Sequence, residues 1–366
     1  MRLYRALLIL ATLLALGVIS LGAYVRLSDA GLGCPDWPGC YGHLIGVPDT
    51  PHEQSAALQA FPDSPVETHK AWKEMTHRYL AGALGLSIAL LAGLAWKHRR
   101  TTQQSPWPAT ALVVIVGLQA LLGMWTVTLQ LKPVIVSAHL LGGMTTLSLL
   151  VWMLLSRKPT LNGAIETNPS GLRLLAALSL FAVALQIALG GWVSSNYAAL
   201  ACNDFPTCLG VWRPEMDFDT AFSLHRELGR TVSGDFLPGD ALIAIHWSHR
   251  VGALIVALLA GLLSLALFRR AVWRGWGLLL GTALVLQIAL GIANVVLFLP
   301  LPIAVAHNTG AAVLLTVTLA INLALWRPRA KNHPAPSDVR SRTPAPGGTQ
   351  VPATNRPVPG FRSLRQ

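Results

Sequence analysis

The chain has 366 residues, of which 53% are hydrophobic and only 12% charged, and its mean hydropathy is +0.51. That balance excludes an ordinary water-soluble domain and points to a membrane protein. The formal net charge of +12 does not argue for a nucleic-acid partner, because +7 of it comes from Arg327, Arg329, Lys331, Arg340, Arg342, Arg356, Arg362 and Arg365 against Asp338, all in residues 327–366. This Pro-, Ser-, Thr- and Gly-rich tail lacks apolar periodicity, so it is expected to be disordered and to suit anionic lipid rather than form a folded basic module.

A spanning helix needs about 20 mostly apolar residues. In chain order such runs fall near 7–24, 77–96, 108–129, 134–155, 173–193, 248–268, 276–298 and 303–326. The expected fold is an all-α membrane protein, with eight transmembrane helices forming two pseudo-symmetric four-helix bundles over 1–158 and 159–326. The first run is longer than a usual signal-peptide core and pairs with 173–193 in the repeat below, so it reads as a retained helix. Arg2, Arg5, Lys97, Arg99, Arg100, Arg157, Lys158, Arg269, Arg270, Arg274, Arg327 and Arg329 all fall on one side of this arrangement. Positive charge stays inside, which predicts a multi-pass membrane protein with both termini cytoplasmic. The two long loops would then face out, and Trp96, Trp152, Trp273, Trp276 and Trp326 would mark the inner boundary.

The chain repeats itself. A shift of 168 residues lays Gly22–Cys40 (GAYVRLSDAGLGCPDWPGC) on Gly190–Cys208 (GGWVSSNYAALACNDFPTC), and Leu118-Gln119, Gly123 and His139 on Leu286-Gln287, Gly291 and His307. A shift of 172 pairs His77-Arg78 with His249-Arg250. Self-similarity at a fixed offset means two copies of one structural unit. The four cysteines form two C-x5-C pairs, Cys34/Cys40 and Cys202/Cys208, in the outward loops. An oxidising outer face and the turn-forming residues between them favour disulfides. These serve either as loop staples or as redox-active thiols.

His77 and His139 fall near the outer ends of their spans at matching depth, and His249 and His307 repeat the arrangement. A histidine inside a bundle is costly unless paired or metal-bound. Two at one depth on facing helices suit axial ligation of haem iron, whereas zinc or copper would lack further ligands. His43, His52, His69, His98 and His225 belong to loops and read as solvated. Arg78 and Arg250 follow their histidines and could meet haem propionates or reach the headgroups. The halves differ at one telling place: Glu74-Met75-Thr76-His77-Arg78 against His246-Trp247-Ser248-His249-Arg250. Glu74 lies one turn before His77 on its face, as a candidate general base. Its alternative role is a helix N-terminal carboxylate stabilised by the dipole.

At these residues the chain resembles the heme A synthase family, over roughly 1–326: the E-x-x-H-R run of Glu74, His77 and Arg78, then His139, His249, His307 and the cysteine pairs. The resemblance implies oxidation of a ring methyl of heme O to the formyl group of heme A by two successive hydroxylations and loss of water. It implies that His77 and His139 face the heme O iron, that His249 and His307 hold a haem b, and that Glu74 is catalytic. His246 is an alternative ligand to His249. A heme O synthase, terminal-oxidase assembly factors and an unidentified electron acceptor or donor are the implied partners, besides the lipids of the prokaryotic plasma membrane that the resemblance also implies. Two other classes compete: a non-catalytic di-haem electron-transfer protein resembling a cytochrome b, and a haem-handling transporter or assembly factor. No nucleotide-binding motif supports ATP-driven transport.

Overall fold

The computed structural model describes residues 2–102, 105–156 and 170–326. The tail from 327 onward, Arg157, Lys158 and the expected bundle boundary near 158 lie outside the described residues. In chain order the helices are α1 (Arg2–Leu27), α2 (Pro51–Ala60), α3 (Thr68–Lys97), α4 (Arg99–Thr102), α5 (Trp107–Thr128), α6 (Pro133–Ser156), α7 (Ser170–Ser195), α8 (Phe218–Ala221), α9 (Gly239–Phe268), α10 (Arg274–Val296) and α11 (Leu301–Trp326). Eight helical segments among the described residues are long and apolar enough to cross a membrane, and no named strand accompanies them.

Two of the eight begin well before their apolar runs. α3 starts at Thr68 rather than 77, and α9 at Gly239 rather than 248. Residues 68–76 include His69, Lys70, Lys73 and Glu74, and 239–247 include Asp240 and His246. These side chains end the hydropathy signal without ending the helix, because the long loops pack beside these turns in place of lipid. At 30 residues each, both helices run about 45 Å, well beyond a hydrocarbon core of about 30 Å. His77 is therefore in the third turn of α3 rather than in its first or second.

Helix contacts close two rings. α1 touches α3, α3 touches α5, α5 touches α6, and α6 returns to α1; likewise α7 touches α9, α9 touches α10, α10 touches α11, and α11 returns to α7. The rings meet where α1 packs on α11, α7 on α6, and α6 on α11. Exchanging the copies turns the first of these contacts into the second and leaves the third unchanged, which is the signature of an internal pseudo-two-fold axis. Residues related by the repeat accordingly meet near it. Arg26 donates to the carbonyl of Ser194 at 2.9 Å, and the Tyr197 hydroxyl donates to Asp29 at 3.1 Å. Each pair is separated by 168 residues.

Backbone detail obeys the same offset. Non-glycine residues with positive φ occur as Asp29/Tyr197, Tyr41/Leu209, Gln130/Phe298 and Leu131/Leu299, and the bonds preceding Pro38 and Pro206 are both cis. The main core, including Leu8, Ile88, Leu91, Leu112, Leu150, Leu263, Leu267, Leu280 and Ile321, fills the half of the helices remote from the cysteine loops. Two smaller clusters lie at the loop side: Cys34, Cys40, Tyr41, Val47, Ala57, Ala71 and Met75 in one copy, and Trp192, Val193, Ala198, Ala221, Ala241, Ala244 and Ile245 in the other. The histidines fall between this packed floor and these loop-side lids.

Candidate functional site

His77 projects from α3 and His139 from α6; His249 projects from α9 and His307 from α11. In each ring these two helices occupy a diagonal, so the imidazoles approach from opposite corners. His77 and His139 are close enough to act on one another's charge, and so are His249 and His307. The structure thus brings together the pairs expected from the repeat. His52, His69 and His225 are exposed, and His43 is half-buried in the first loop.

Each of the four rings rests on a glycine of the neighbouring helix. A Cβ at Gly22 would lie 2.9 Å from Cε1 of His77, one at Gly190 3.0 Å from that of His249, one at Gly291 3.0 Å from that of His307, and one at Gly123 3.4 Å from that of His139. The missing methyl groups leave room for the imidazoles between the helices. The Nδ1 atoms of His77, His139 and His307 are buried without a hydrogen-bond partner. An orphaned imidazole nitrogen in an apolar bundle is costly, and metal ligation is one way to satisfy it. Among the described residues no group of three or more His, Cys, Asp or Glu could hold a metal ion. Two opposed imidazoles per bundle therefore fit the axial donor set of a haem and not a tetrahedral zinc site.

Glutamines brace three of the ligand helices. Gln186 donates to the backbone carbonyl of His249 at 2.8 Å and approaches its Nδ1 at 3.0 Å, while Gln287 donates to the carbonyl of His307 at 3.0 Å. The side chains of Gln119, Gln186 and Gln287 press on Gly142, Gly252 and Gly310, each three residues after a histidine of the set. The repeat drew attention to Gln119 and Gln287 but not to Gln186, whose counterpart is Val18.

The unequal position is the most informative. Glu74 is buried; its Oε2 accepts from the Cys34 amide at 3.0 Å, and its Oε1 accepts from Arg78 at 2.5 Å. In the second copy His246 is also buried; its Nδ1 lies 3.2 Å from the Cys202 amide and its Nε2 3.2 Å from the Arg250 guanidinium, and a neutral imidazole, having one acceptor nitrogen, accepts from one of these two donors at a time. The same two donors thus face a carboxylate in one half, which accepts both, and an imidazole in the other, which accepts one. His246 thus lies against the cradle donors, and His249 is the residue beside His307.

The arginines have partners that the sequence did not suggest. Arg78 donates to the carbonyls of Asp36, Pro38 and Gly39, and Arg250 to those of Cys202, Asp204 and Thr207. Each guanidinium thereby ties its cysteine loop to the helix that carries a candidate ligand. Both loops are closed by disulfides, Cys34–Cys40 and Cys202–Cys208. Asp36 accepts from the amides of Tyr41 and Gly42 at 2.6 and 2.8 Å, and Asp204 from those of Leu209 and Gly210 at 2.6 and 2.9 Å. The Thr207 hydroxyl, then the Gly210 and Leu209 amides, hold the Asp204 carboxyl down at about 2.

The model of the COX15-CtaA family, described as cytochrome oxidase assembly protein, matches residues 5–319. The chain belongs to this family. Among relatives, a heme A synthase of Shewanella oneidensis is 47% identical over 309 residues, covering 84% of this chain and 92% of its own length. Those of Caulobacter vibrioides and Granulibacter bethesdensis are 28% and 30% identical, covering 85% and 87% of this chain and 92% and 87% of their own. The family match spans all eight membrane segments and both histidine pairs.

Proposed function

We propose that this multi-pass membrane protein is a heme A synthase, an oxidoreductase that converts heme O to heme A, with its chemistry in the first bundle and electron handling in the second. The observation that carries the division of labour is the shared cradle, occupied by Glu74 in one copy and His246 in the other. A pure electron wire gives no reason for the halves to differ there. A proton-coupled oxidation needs a base in one half only.

In this reading His77 and His139 receive the iron of heme O from opposite corners of the first bundle. Gly22 and Gly123 give their rings space, and the packed floor beneath sets the depth. Turning a methyl group into a formyl group removes four electrons from the carbon, and protons must leave with them. Glu74 is the carboxylate available for that transfer. Arg78 and the Cys34 amide occupy one lone pair on each oxygen, leaving a second on each for an incoming proton. The same two bonds fix the carboxylate one turn from His77, where positioned acid–base groups contribute about 10²- to 10⁴-fold.

In the second bundle His249 and His307 would hold a haem b, supplying one-electron transfer when bound. Gln186 and Gln287 brace the backbone of these two ligands. The loop charges support placing both termini in the cytoplasm and the cysteine loops outside. An enzyme making heme O would supply the substrate, and assembly of a terminal oxidase would consume the product.

The test is Glu74→Ala, with Glu74→Gln beside it, purified from cells that also make heme O, with the extracted haems identified by chromatography and mass. Wild type should yield heme A and haem b. The variants should keep haem b and accumulate heme O or a hydroxylated intermediate, with turnover lower by about 100-fold or more. Only unmodified haem b in wild type and variants alike would remove the synthase reading and leave the electron-transfer protein.

A further inference from the structure

The first cysteine loop buries some of its apolar side chains and presents others. Tyr41 and Val47 are tucked into the loop cluster with the disulfide, but Leu44 is 74% and Ile45 84% exposed. Two large aliphatic side chains offered together, with a sequestered core on either side in sequence, are not explained by loop folding. What lies beside them gives the reason.

Gly46, next in sequence and with φ of +84°, donates its amide to the hydroxyl of Tyr79 at 2.8 Å. Tyr79 is on α3 and itself exposed, in line with exposed Leu86 and Leu90. Spacings of seven and eleven residues put the three on one helix face. That face is the lipid-facing stripe of α3. Tyr79 also opens the uncharged part of this helix, for no charged residue occurs between it and Lys97. From Tyr79 to Trp96 the helix rises about 26 Å at 1.5 Å per residue, close to the thickness of the hydrocarbon core. Tyr79 therefore marks the hydrocarbon boundary on the cysteine-loop side, where tyrosine is favoured.

We infer that the Leu44–Ile45 tip is a membrane anchor, tethered by Gly46 to Tyr79 and inserted into the interfacial region of the leaflet on the cysteine-loop side. The occupant of this apolar surface is the lipid itself, because the tip continues a stripe that already faces it. The second copy places Trp212, 73% exposed, at the repeat position of Leu44. Tryptophan is the residue most suited to that depth. Anchored at both tips, the two lids would be held down against the bundles by the bilayer as well as by Arg78 and Arg250. The inference stands on the spanning helices and is independent of the haem chemistry.

All four cysteines are disulfide-bonded, so an introduced cysteine would be the one free thiol. Ile45→Cys, carrying a nitroxide and reconstituted into phosphatidylcholine bilayers, is compared with Leu86→Cys on the lipid stripe and Leu58→Cys on α2. Collision with oxygen relative to a water-soluble nickel chelate should match Leu86→Cys and exceed Leu58→Cys several-fold. Nickel access equal to that of Leu58→Cys would put the tip in water and overturn the inference. Low access to both reagents would mean that protein covers it, and would overturn the inference as well. Leu44→Cys reads the same surface should Ile45→Cys disturb the loop. Adding Tyr79→Phe should sharpen the nitroxide lines as the tether is lost; unchanged lines would overturn the tether.

Discussion

A methyl group added at Gly190 would place its carbon 3.0 Å from Cε1 of His249, closer than carbon atoms pack. The imidazole would have to turn or the helices part, and overpacking of this kind costs about 1–3 kcal/mol. On the proposed assignment of a haem b to His249 and His307, Gly190→Ala is expected to weaken its retention by about 10- to 100-fold, read as a lower haem-to-protein ratio after purification. Gly261→Ala is the control, since its new carbon would meet only Leu284 at 3.9 Å. At this scale the sequence displayed the donors and hid their supports. Four histidines in a repeat are legible because a buried imidazole needs a reason. A glycine in an apolar helix has many possible reasons, and only the neighbouring ring shows which applies. Gln186 was hidden for a related cause: its counterpart is Val18, so the repeat carried no signal for it.

Among the elements, the cysteine loops show best how a local turn is made. Asp204 draws the Leu209 and Gly210 amides onto one carboxylate, and its proton affinity is lowered by those bonds and the Thr207 hydroxyl. A carboxyl whose folded value lies below its unfolded one stabilises the fold above the unfolded value and loses that contribution as pH falls through the folded one. For Asp204 the window runs from the ordinary value of 3.8 down to about 2. The second loop should therefore hold its turn at pH 4 and loosen only as pH approaches 2, with exchange of the Leu209 and Gly210 amides as the readout. Asp204→Asn should show faster exchange at neutral pH already. The cysteine pairing was legible from spacing and turn residues, whereas the true starts of α3 and α9 were not. Hydropathy reports what a side chain would prefer beside it, and near Glu74 and His246 that neighbour is a folded loop rather than lipid.

For the molecule as a whole, the eight spans and the two copies could be read from composition and offset, because lipid imposes helix length and a repeat imposes itself at every position. The way the copies meet could not, since nothing in a periodic pattern tells which face turns toward the partner. Arg26 is the clearest tie. It donates to Ser194 at 2.9 Å and stacks 4.0 Å from the centre of the Tyr197 ring. A hydrogen bond from a charged group contributes about 1.5–3 kcal/mol. Arg26→Met should lower stability by about 2 kcal/mol in reversible unfolding of the detergent-solubilised protein, while leaving haem content per folded molecule unchanged.

The axis itself has a consequence for descent. Two separate molecules of the first copy, joined about the same axis, would bring Arg26 toward Arg26 and Asp29 toward Asp29, like charge against like. In the single chain these positions face Ser194 and Tyr197 instead. Duplication followed by fusion frees each self-facing position to diverge from its twin. The liberty that gave Arg26 a carbonyl and Asp29 a phenol is the one that let one cradle keep an acid while the other took an imidazole. A symmetric ancestor would have had to carry two acids or none.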